Sequence, residues 1–331
     1  MAPHRVEIVA VDDDGVDQAF WEDTSIVLAC LRETPPRIPA YFGYDALGSE
    51  LFEAITELPS YYLTRVEYRL LRRHAAQIAD LLGCGRVAEL GSGSAKKTRV
   101  LLAACLTRRA TTYLPIDVCH EMLVTSAREL TTELTGLRVR GLWGRYQAGL
   151  AWLREDKPEP MAVAFLGSNL GNTTACERDE LLAQIASTLR TGDQFLVSVD
   201  LCKPGQVFDD CYNDPAGESA FARFRLNHLI HLNRRFGGDF AVEYFYPRAH
   251  YDPATTTVQA HLYATEDQSV ALTKLNWELR LHRDDSLNVG FSHKFHRLRF
   301  VSDVAARGFA LRARWIDTVW QYGIFLFVRL S

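Results

Sequence analysis

The segment that most constrains this chain is Val87-Ala88-Glu89-Leu90-Gly91-Ser92-Gly93-Ser94-Ala95-Lys96-Lys97-Thr98. A short apolar run ends in a carboxylate, and a glycine turn then opens directly into a helical pattern. Strand, turn and helix in that order form the first unit of a nucleotide-binding α/β sheet. Glycine lacks Cβ, so the backbone there can turn sharply and lie against a ligand. The N–H groups at the helix start then face the ligand's polar end. The phosphate-loop pattern G-x-x-x-x-G-K-[ST] fits Gly91, Lys97 and Thr98 but meets Lys96 where its second glycine belongs. The dinucleotide pattern G-x-G-x-x-G fits Gly91 and Gly93 and fails at the same lysine. What remains is E-x-G-x-G over Glu89, Gly91 and Gly93, the loop typical of enzymes that bind S-adenosylmethionine. One βα unit later, Thr112-Tyr113-Leu114-Pro115-Ile116-Asp117 reads as a second strand ending in an acid. Such an acid can accept hydrogen bonds from both ribose hydroxyls. Asp117 can also cap the helix starting near Cys119, but the glycine turn one unit earlier favours the ribose.

The remaining bulk properties narrow the class. A chain of 331 residues can form one large domain or two and bury a substantial core. A hydrophobic fraction of 47% with 24% charged residues is that of an ordinary globular protein. The net charge of −4 argues against a nucleic-acid or anionic-membrane surface as the main partner. No apolar core follows Met1, because Asp12, Asp13 and Asp14 interrupt early, and no stretch has the apolar length of a membrane helix. Cys30, Cys84, Cys105, Cys119, Cys176, Cys202 and Cys211 are scattered without a C-x-x-C pair, which suits reduced thiols and a cytoplasmic protein. His231, His282, His293 and His296 are too dispersed for a zinc site, so no metal is expected.

Periodicity orders the chain. A helical pattern at Ala19–Arg32 runs into Pro35-Pro36 and Pro39, which force an extended connection. Gly48 and Ser49 read as a stop-and-cap signal before a helix carrying Leu51, Phe52 and Ile55. Tyr61–Arg65 reads as a polar aromatic loop, and helix resumes through Tyr68–Leu82. Strands at Val87–Leu90, Tyr113–Ile116, Leu137–Leu142, Met161–Leu166 and Gln194–Leu201 alternate with helices beginning near Lys96, Cys119, Tyr146 and Cys176. That alternation implies a parallel sheet covered on both faces. A long amphipathic helix follows at Gly217–Phe236, then strands at Ala241–His250, Thr257–Thr265, Trp277–His282 and Leu287–Phe291. After a helix near Phe300–Arg307, strand-like runs in Arg312–Arg329 should rejoin the main sheet. The expected organisation is a helical part at 1–60 contributing to the substrate site, an α/β core at 61–202, an inserted α+β lobe at 203–298, and a return to the core at 299–331.

A set of motifs in order carries a more specific resemblance. They are Tyr44-Asp45-x-x-Gly48-Ser49-x-Leu51-Phe52, Leu58-Pro59-x-Tyr61-Tyr62-x-Thr64-Arg65 and Glu89-Leu90-Gly91-Ser92-Gly93-x-x-x-Lys97-Thr98. Pro115-x-Asp117-Val118, Phe165-Leu166-Gly167-Ser168-x-x-Gly171-Asn172, Tyr212-x-Asp214-x-Ala216-Gly217 and Ser292-x-Lys294-Phe295 follow. Together they resemble the histidine Nα-methyltransferase family of ergothioneine biosynthesis over nearly the whole chain. The resemblance implies a class I methyltransferase domain with a smaller substrate-binding lobe, transferring methyl groups from S-adenosylmethionine to the α-amino group of an amino acid. By that resemblance Gly91, Ser92, Gly93 and Lys97 line the methionine end of the cofactor, Asp117 holds the ribose, and Glu89 belongs to the same cofactor site. The family's Gly-Asp-Phe beside the adenine is here Gly144-Arg145-Tyr146, so Tyr146 can stack while the acid has become Arg145. Tyr61, Asn172 and Tyr212 match residues that hold the amino acid's carboxylate and amine. Tyr44 matches a tyrosine near the amine, the Gly167 carbonyl helps orient it, and Phe52 joins the substrate site. Tyr62 reads instead as a buried aromatic with a satisfied hydroxyl.

The chain departs from the family in the side-chain pocket. The family's Glu-x-Ser-x-Lys-Phe is here Gly290-Phe291-Ser292-His293-Lys294-Phe295, so Gly290 replaces the glutamate that binds imidazole. A methionine of the neighbouring strand has become Ala260. Both changes remove bulk, and one removes the charge that would pair with histidine, so discrimination for histidine is lost. The expected substrate is larger or less polar: tryptophan, a ring-substituted tryptophan or a tyrosine-type amino acid, in specialised metabolism. Against this stands a reading of Gly290 as a mere strand bulge, with His293 restoring imidazole recognition; strand alternation turns His293 away from Ser292. The other readings are a histidine methyltransferase with a rearranged pocket, methylation of carbon or ring nitrogen on the same scaffold, and a silent cofactor-binding partner protein. A small amino acid is the expected partner, with no nucleic acid or membrane, and a monomer is favoured.

Overall fold

The computed structural model describes residues 5–12, 21, 24–156, 160–213 and 220–331. Asp214, Ala216 and Gly217 of the motifs, and the beginnings of the helical patterns at Ala19 and Gly217, lie outside them. The chain divides into two compact units: Met1–Asp12, Tyr62–Cys202 and Lys294–Ser331 form one, and Asp13–Tyr61 and Lys203–His293 the other.

In chain order, β1 (Val6–Ala10) is followed by α1 (Thr24–Leu31), a 3-10 turn at Ala40–Tyr44, α2 (Ala46–Thr56) and α3 (Tyr62–Leu82). The α/β run is β2 (Arg86–Leu90), α4 (Thr98–Leu106), β3 (Thr112–Asp117), α5 (His120–Glu133), β4 (Arg138–Trp143), α6 (Tyr146–Glu155), β5 (Met161–Phe165), α7 (Ala175–Thr188) and β6 (Gln194–Asp200). Next come α8 (Gly205–Tyr212), α9 (Ala220–Phe236), β7 (Phe245–Asp252), β8 (Thr257–Ala264), β9 (Gln268–Leu272), β10 (Trp277–Leu281) and β11 (Ser286–His293). The chain closes with α10 (Arg297–Ala305), β12 (Phe309–Asp317) and β13 (Tyr322–Arg329).

In the first unit eight strands form one sheet in the order β1-β4-β3-β2-β5-β6-β13-β12. It is parallel through β6, after which β13 and β12 join antiparallel. Strands β2, β5 and β6 are buried along their whole length, which explains why their sequences run apolar instead of alternating. Successive strands run outward from β2 to β4 on one side and from β5 to β6 on the other. The switch point is therefore at the carboxyl ends of β2 and β5, where doubly wound sheets bind ligands. Edge strand β1 lies parallel to β4, with Val6 opposite Val139 and Ala10 opposite Trp143, inside the stretch 1–60 expected as a helical part.

The second unit holds a three-stranded sheet, β11-β8-β7, and a hairpin of β9 and β10. Its core gathers Phe42, Leu229, Leu232, Phe236, Leu262 and Leu287 around α9. Two local readings are corrected here. Helix α2 is capped by Asp45, whose Oδ1 accepts the Gly48 N–H at 2.9 Å, so Ser49 is not the cap. Gly48 is a packing requirement, since a Cβ there would stand 1.7 Å from the Gly43 carbonyl oxygen. In the first unit, Tyr62–Arg65 is the first turn of α3, because burying Tyr62, Leu63 and Val66 together needs a helical face.

Candidate functional site

The turn after β2 is built from inside the first unit. Both Glu89 oxygens are used there: one accepts the Thr98 hydroxyl at 2.7 Å and the other the Tyr113 hydroxyl. Burial holds the Glu89 carboxyl up to about 7, with those hydroxyls opposing the shift. Glu89 thus ties β2 to α4 and β3 and sets the direction of the glycine turn. Gly91 has φ of 67°, and a Cβ on it would lie 2.6 Å from the Tyr146 hydroxyl, so only glycine fits. Gly93 has φ of 51°, and a Cβ there would meet no heavy atom within 4 Å, so its backbone lies open to a ligand.

Asp117 is fixed between the two turns by backbone donors. Its Oδ1 accepts the Cys119 N–H at 3.0 Å and its Oδ2 the Gly93 N–H at 2.8 Å. Burial raises its carboxyl, and these backbone donors pull it back. Each oxygen keeps acceptor capacity for a further donor. The side chain therefore locks the glycine loop to the start of α5 while facing the same turn. Tyr146, at the start of α6, packs its ring edge-on against Phe165 at 5.3 Å.

Beneath the turn after β5 lies a group the sequence reading missed. Glu67 of α3, fully buried, pairs with Lys97 through Oε2 and accepts the Gly167 N–H at 2.7 Å and the Ser198 hydroxyl through Oε1. A Cβ on Gly167 would stand 3.2 Å from both Lys97 Nζ and Asn169 Nδ2, so the carbonyl turn and the lysine share one small space. Asn172 ends the short turn Asn169–Asn172, its Nδ2 donating to Asn169 Oδ1 at 3.3 Å. Glu67 was visible in principle, as the one acid on the apolar stripe of Leu63, Val66, Leu70 and Leu71. Tyr62 takes the buried role expected of it, donating to Asp200 Oδ2 at 2.7 Å and stacking on Trp320.

The second unit assembles the tyrosines. Tyr44, Phe52, Tyr61 and Tyr212 are linked ring to ring: Tyr44 meets Phe52 at 5.5 Å, Phe52 meets Tyr61 at 6.4 Å, and Tyr61 meets Tyr212 at 6.3 Å. Phe221 and Phe224, three residues apart on α9, complete the cluster. Both lie within the amphipathic pattern read at Gly217–Phe236, which gave no sign of a role beyond packing. Arg225, buried with its charge pushed down to about 10, donates to the Tyr212 carbonyl at 2.7 Å and fixes the end of α8. The Tyr212 and Ser292 hydroxyls bond at 2.8 Å.

The register of the small sheet places the two shortened side chains side by side. Gly290 of β11 lies opposite Ala260 of β8, which lies opposite Ala249 of β7, all on the face of Ser292 and Val258. A bulge does fall between Asn288 and Gly290, and the Asn288 side chain accepts the Gly290 N–H at 3.0 Å. Yet Gly290 is absent from the left-handed conformations, and a Cβ on it would find no heavy atom within 4 Å. The bulge does not need glycine; the space above it is open. His293 is opposite Thr257 and its Nδ1 lies 3.2 Å from that hydroxyl, on the other face.

A doubly wound sheet with a glycine loop at its switch point and an acid ending the next strand defines a class I methyltransferase. The family described as histidine-specific methyltransferase, SAM-dependent, matches residues 22–329, and the chain belongs to that family. It is similar to the histidine N-alpha-methyltransferase of Mycolicibacterium smegmatis, 33% identical over 96% of this chain and 97% of the relative. The histidine N-alpha-methyltransferase of Mycobacterium tuberculosis is 31% identical over 91% and 92% of the two chains. A 4-dimethylallyltryptophan N-methyltransferase of Epichloe festucae var. lolii is 25% identical over 90% and 93%. The protein is thus an S-adenosylmethionine-dependent enzyme that N-methylates an amino acid of the histidine or aromatic type. Among the described residues no helix is long and apolar enough to cross a membrane.

Proposed function

We propose that the enzyme methylates the α-amino group of an aromatic amino acid larger or less polar than histidine, of the tryptophan, substituted-tryptophan or tyrosine type. The observation that carries this reading is the open space over Gly290, directly opposite Ala260 and on the face of Ser292 and Tyr212. An imidazole-binding acid is missing from that position, and His293 is turned to Thr257. The similarity to a tryptophan-derivative N-methyltransferase supports an indole-sized side chain.

In this reading Gly91, Ser92, Gly93, Lys97, Asp117 and Tyr146 hold the cofactor, with Glu89 bracing their loop. S-adenosylmethionine supplies a methyl on a sulfonium, whose C–S bonding pair leaves with the sulfur. The chain's own task is to present a neutral amine lone pair in line with that bond, which is a matter of positioning. Tyr61, Tyr212 and Asn172 grip the carboxylate and amine, and Tyr44 and the Gly167 carbonyl orient the amine. Phe52 packs against the bound amino acid, and Ser292 holds the Tyr212 hydroxyl. Gly290 and Ala260 leave room for the ring.

The test is to refill the pocket. Gly290→Glu with Ala260→Met should move the kcat/KM ratio toward histidine by about tenfold, the scale of a few methylenes and one polar contact. Competition between tryptophan and histidine, read by product mass, measures it. A ratio unmoved by the double substitution would detach these two positions from substrate choice.

A further inference from the structure

Asp12 and Arg145 form a built polar pair at the carboxyl ends of neighbouring strands. Arg145 follows β4, and its backbone N–H donates to Asp12 Oδ2 at 3.0 Å. Its Nε donates to the same oxygen at 2.5 Å, and its Nη2 to Oδ1 at 2.9 Å. The pair is largely withdrawn from solvent, with the arginine side chain 24% and the aspartate 13% exposed. The backbone is shaped around it. Gly144 has φ of 155°, and a Cβ there would lie 2.6 Å from the Asp12 Cβ. The Gly144 N–H meanwhile donates to the Asp117 carbonyl at 3.0 Å. Edge strand β1 thus delivers a carboxylate to the turn beside the one that carries Asp117.

The order of the sheet says what that carboxylate can reach. From the switch point outward the strand ends carry the glycine loop of β2, Asp117 of β3, Arg145 after β4 and Asp12 after β1. With the ribose at Asp117, the base attached to it extends toward the next strand end, that of β4. Adenine presents there an exocyclic amine, a donor that needs an acceptor. Arginine has no acceptor to offer, whereas a carboxylate does. Two N–H groups use Asp12 Oδ2 and one uses Oδ1, so Oδ1 retains acceptor capacity.

We propose that Asp12 accepts the adenine amino group of the cofactor, and that Arg145 is the positioning residue that pins the Asp12 carboxylate. This rests on the placement of the ribose at Asp117. It makes β1 part of the cofactor site and turns Arg145 from a lost contact into the support of a relocated one.

Calorimetry with S-adenosylhomocysteine and S-inosylhomocysteine, which carries an oxo group in place of the amine, tests it without turnover. Wild-type protein should prefer the adenosyl compound, because its amine is a donor and the oxo group is not. Asp12→Ala should weaken S-adenosylhomocysteine about tenfold, as for a hydrogen bond to a charged group. The inosyl compound should bind that variant as it binds wild type, so the preference collapses. Asp12→Asn, which keeps the shape of the side chain, should bring the two affinities closer, because Arg145 claims its one oxygen and leaves an amide donor outward. That variant decides the question if Asp12→Ala does not fold. An adenosyl preference unchanged in the variants that fold would overturn the role of Asp12. Failure of wild type to bind S-adenosylhomocysteine would instead strike the cofactor placement on which the role depends.

Discussion

Replacing Lys294 by alanine should strongly destabilise the first unit. Lys294 and Asp200 are both fully buried, with Nζ 3.0 Å from Oδ2, and Tyr62 donates to the same carboxylate oxygen. Taking the ammonium away leaves a buried carboxylate without the cation that pairs with it, which costs about 3–5 kcal/mol. The double variant Lys294→Met with Asp200→Asn should lose much less, because no net charge is left buried. Urea unfolding of the three proteins measures this. Equal losses in the single and double variants would show that packing, and not the charge pair, accounts for the cost.

If Tyr212 anchors the substrate carboxylate as proposed, Tyr212→Phe should lower kcat/KM about ten- to a hundredfold, the loss of one hydroxyl bonded to a charged group at roughly 1.5–3 kcal/mol. The ring contacts to Tyr61 and Phe221 survive the change, and what goes is the hydroxyl held 2.8 Å from Ser292. Affinity for S-adenosylhomocysteine should stay nearly constant. A decarboxylated amine should be a poor substrate of wild type and should gain little from the native tyrosine. If such an amine is methylated as well as its parent acid and Tyr212→Phe is silent, the carboxylate anchor is wrong.

What could be read from the sequence was whatever is local or repeats at short range. The glycine loop, Asp117 and the alternating run from β2 to β6 are each set by a few adjacent residues, and they stand where their patterns placed them. The closing strands β12 and β13 rejoin the sheet through β6, as their apolar runs implied. Strand β1 was missed because five residues at a sheet edge carry little pattern, and its partner β4 lies far along the chain. The capping of α2 by Asp45 was hidden for a similar reason. Its Oδ1 also receives the Asn227 side chain at 2.7 Å and its Oδ2 that of Arg234 at 2.5 Å, both from α9. Hairpin strand β9 was not among the expected strands, since Gln268–Leu272 is short and its ladder is formed with β10 alone apart from a single bridge from Leu272 to Gly238. The identities of Gly290 and Ala260 were plain, but their cross-strand register, bulge included, is a three-dimensional fact. Glu67 shows the opposite case: the residue was on view in an apolar stripe, and only its partners Lys97, Gly167 and Ser198 give it meaning.

The most direct test of the enlarged acceptor pocket is the kcat/KM of the unmodified enzyme for tryptophan set against that for histidine, with S-adenosylmethionine saturating. The open position at Gly290 predicts a preference for tryptophan or a ring-substituted tryptophan of about tenfold or more. Methylation of histidine with equal or greater efficiency would contradict it.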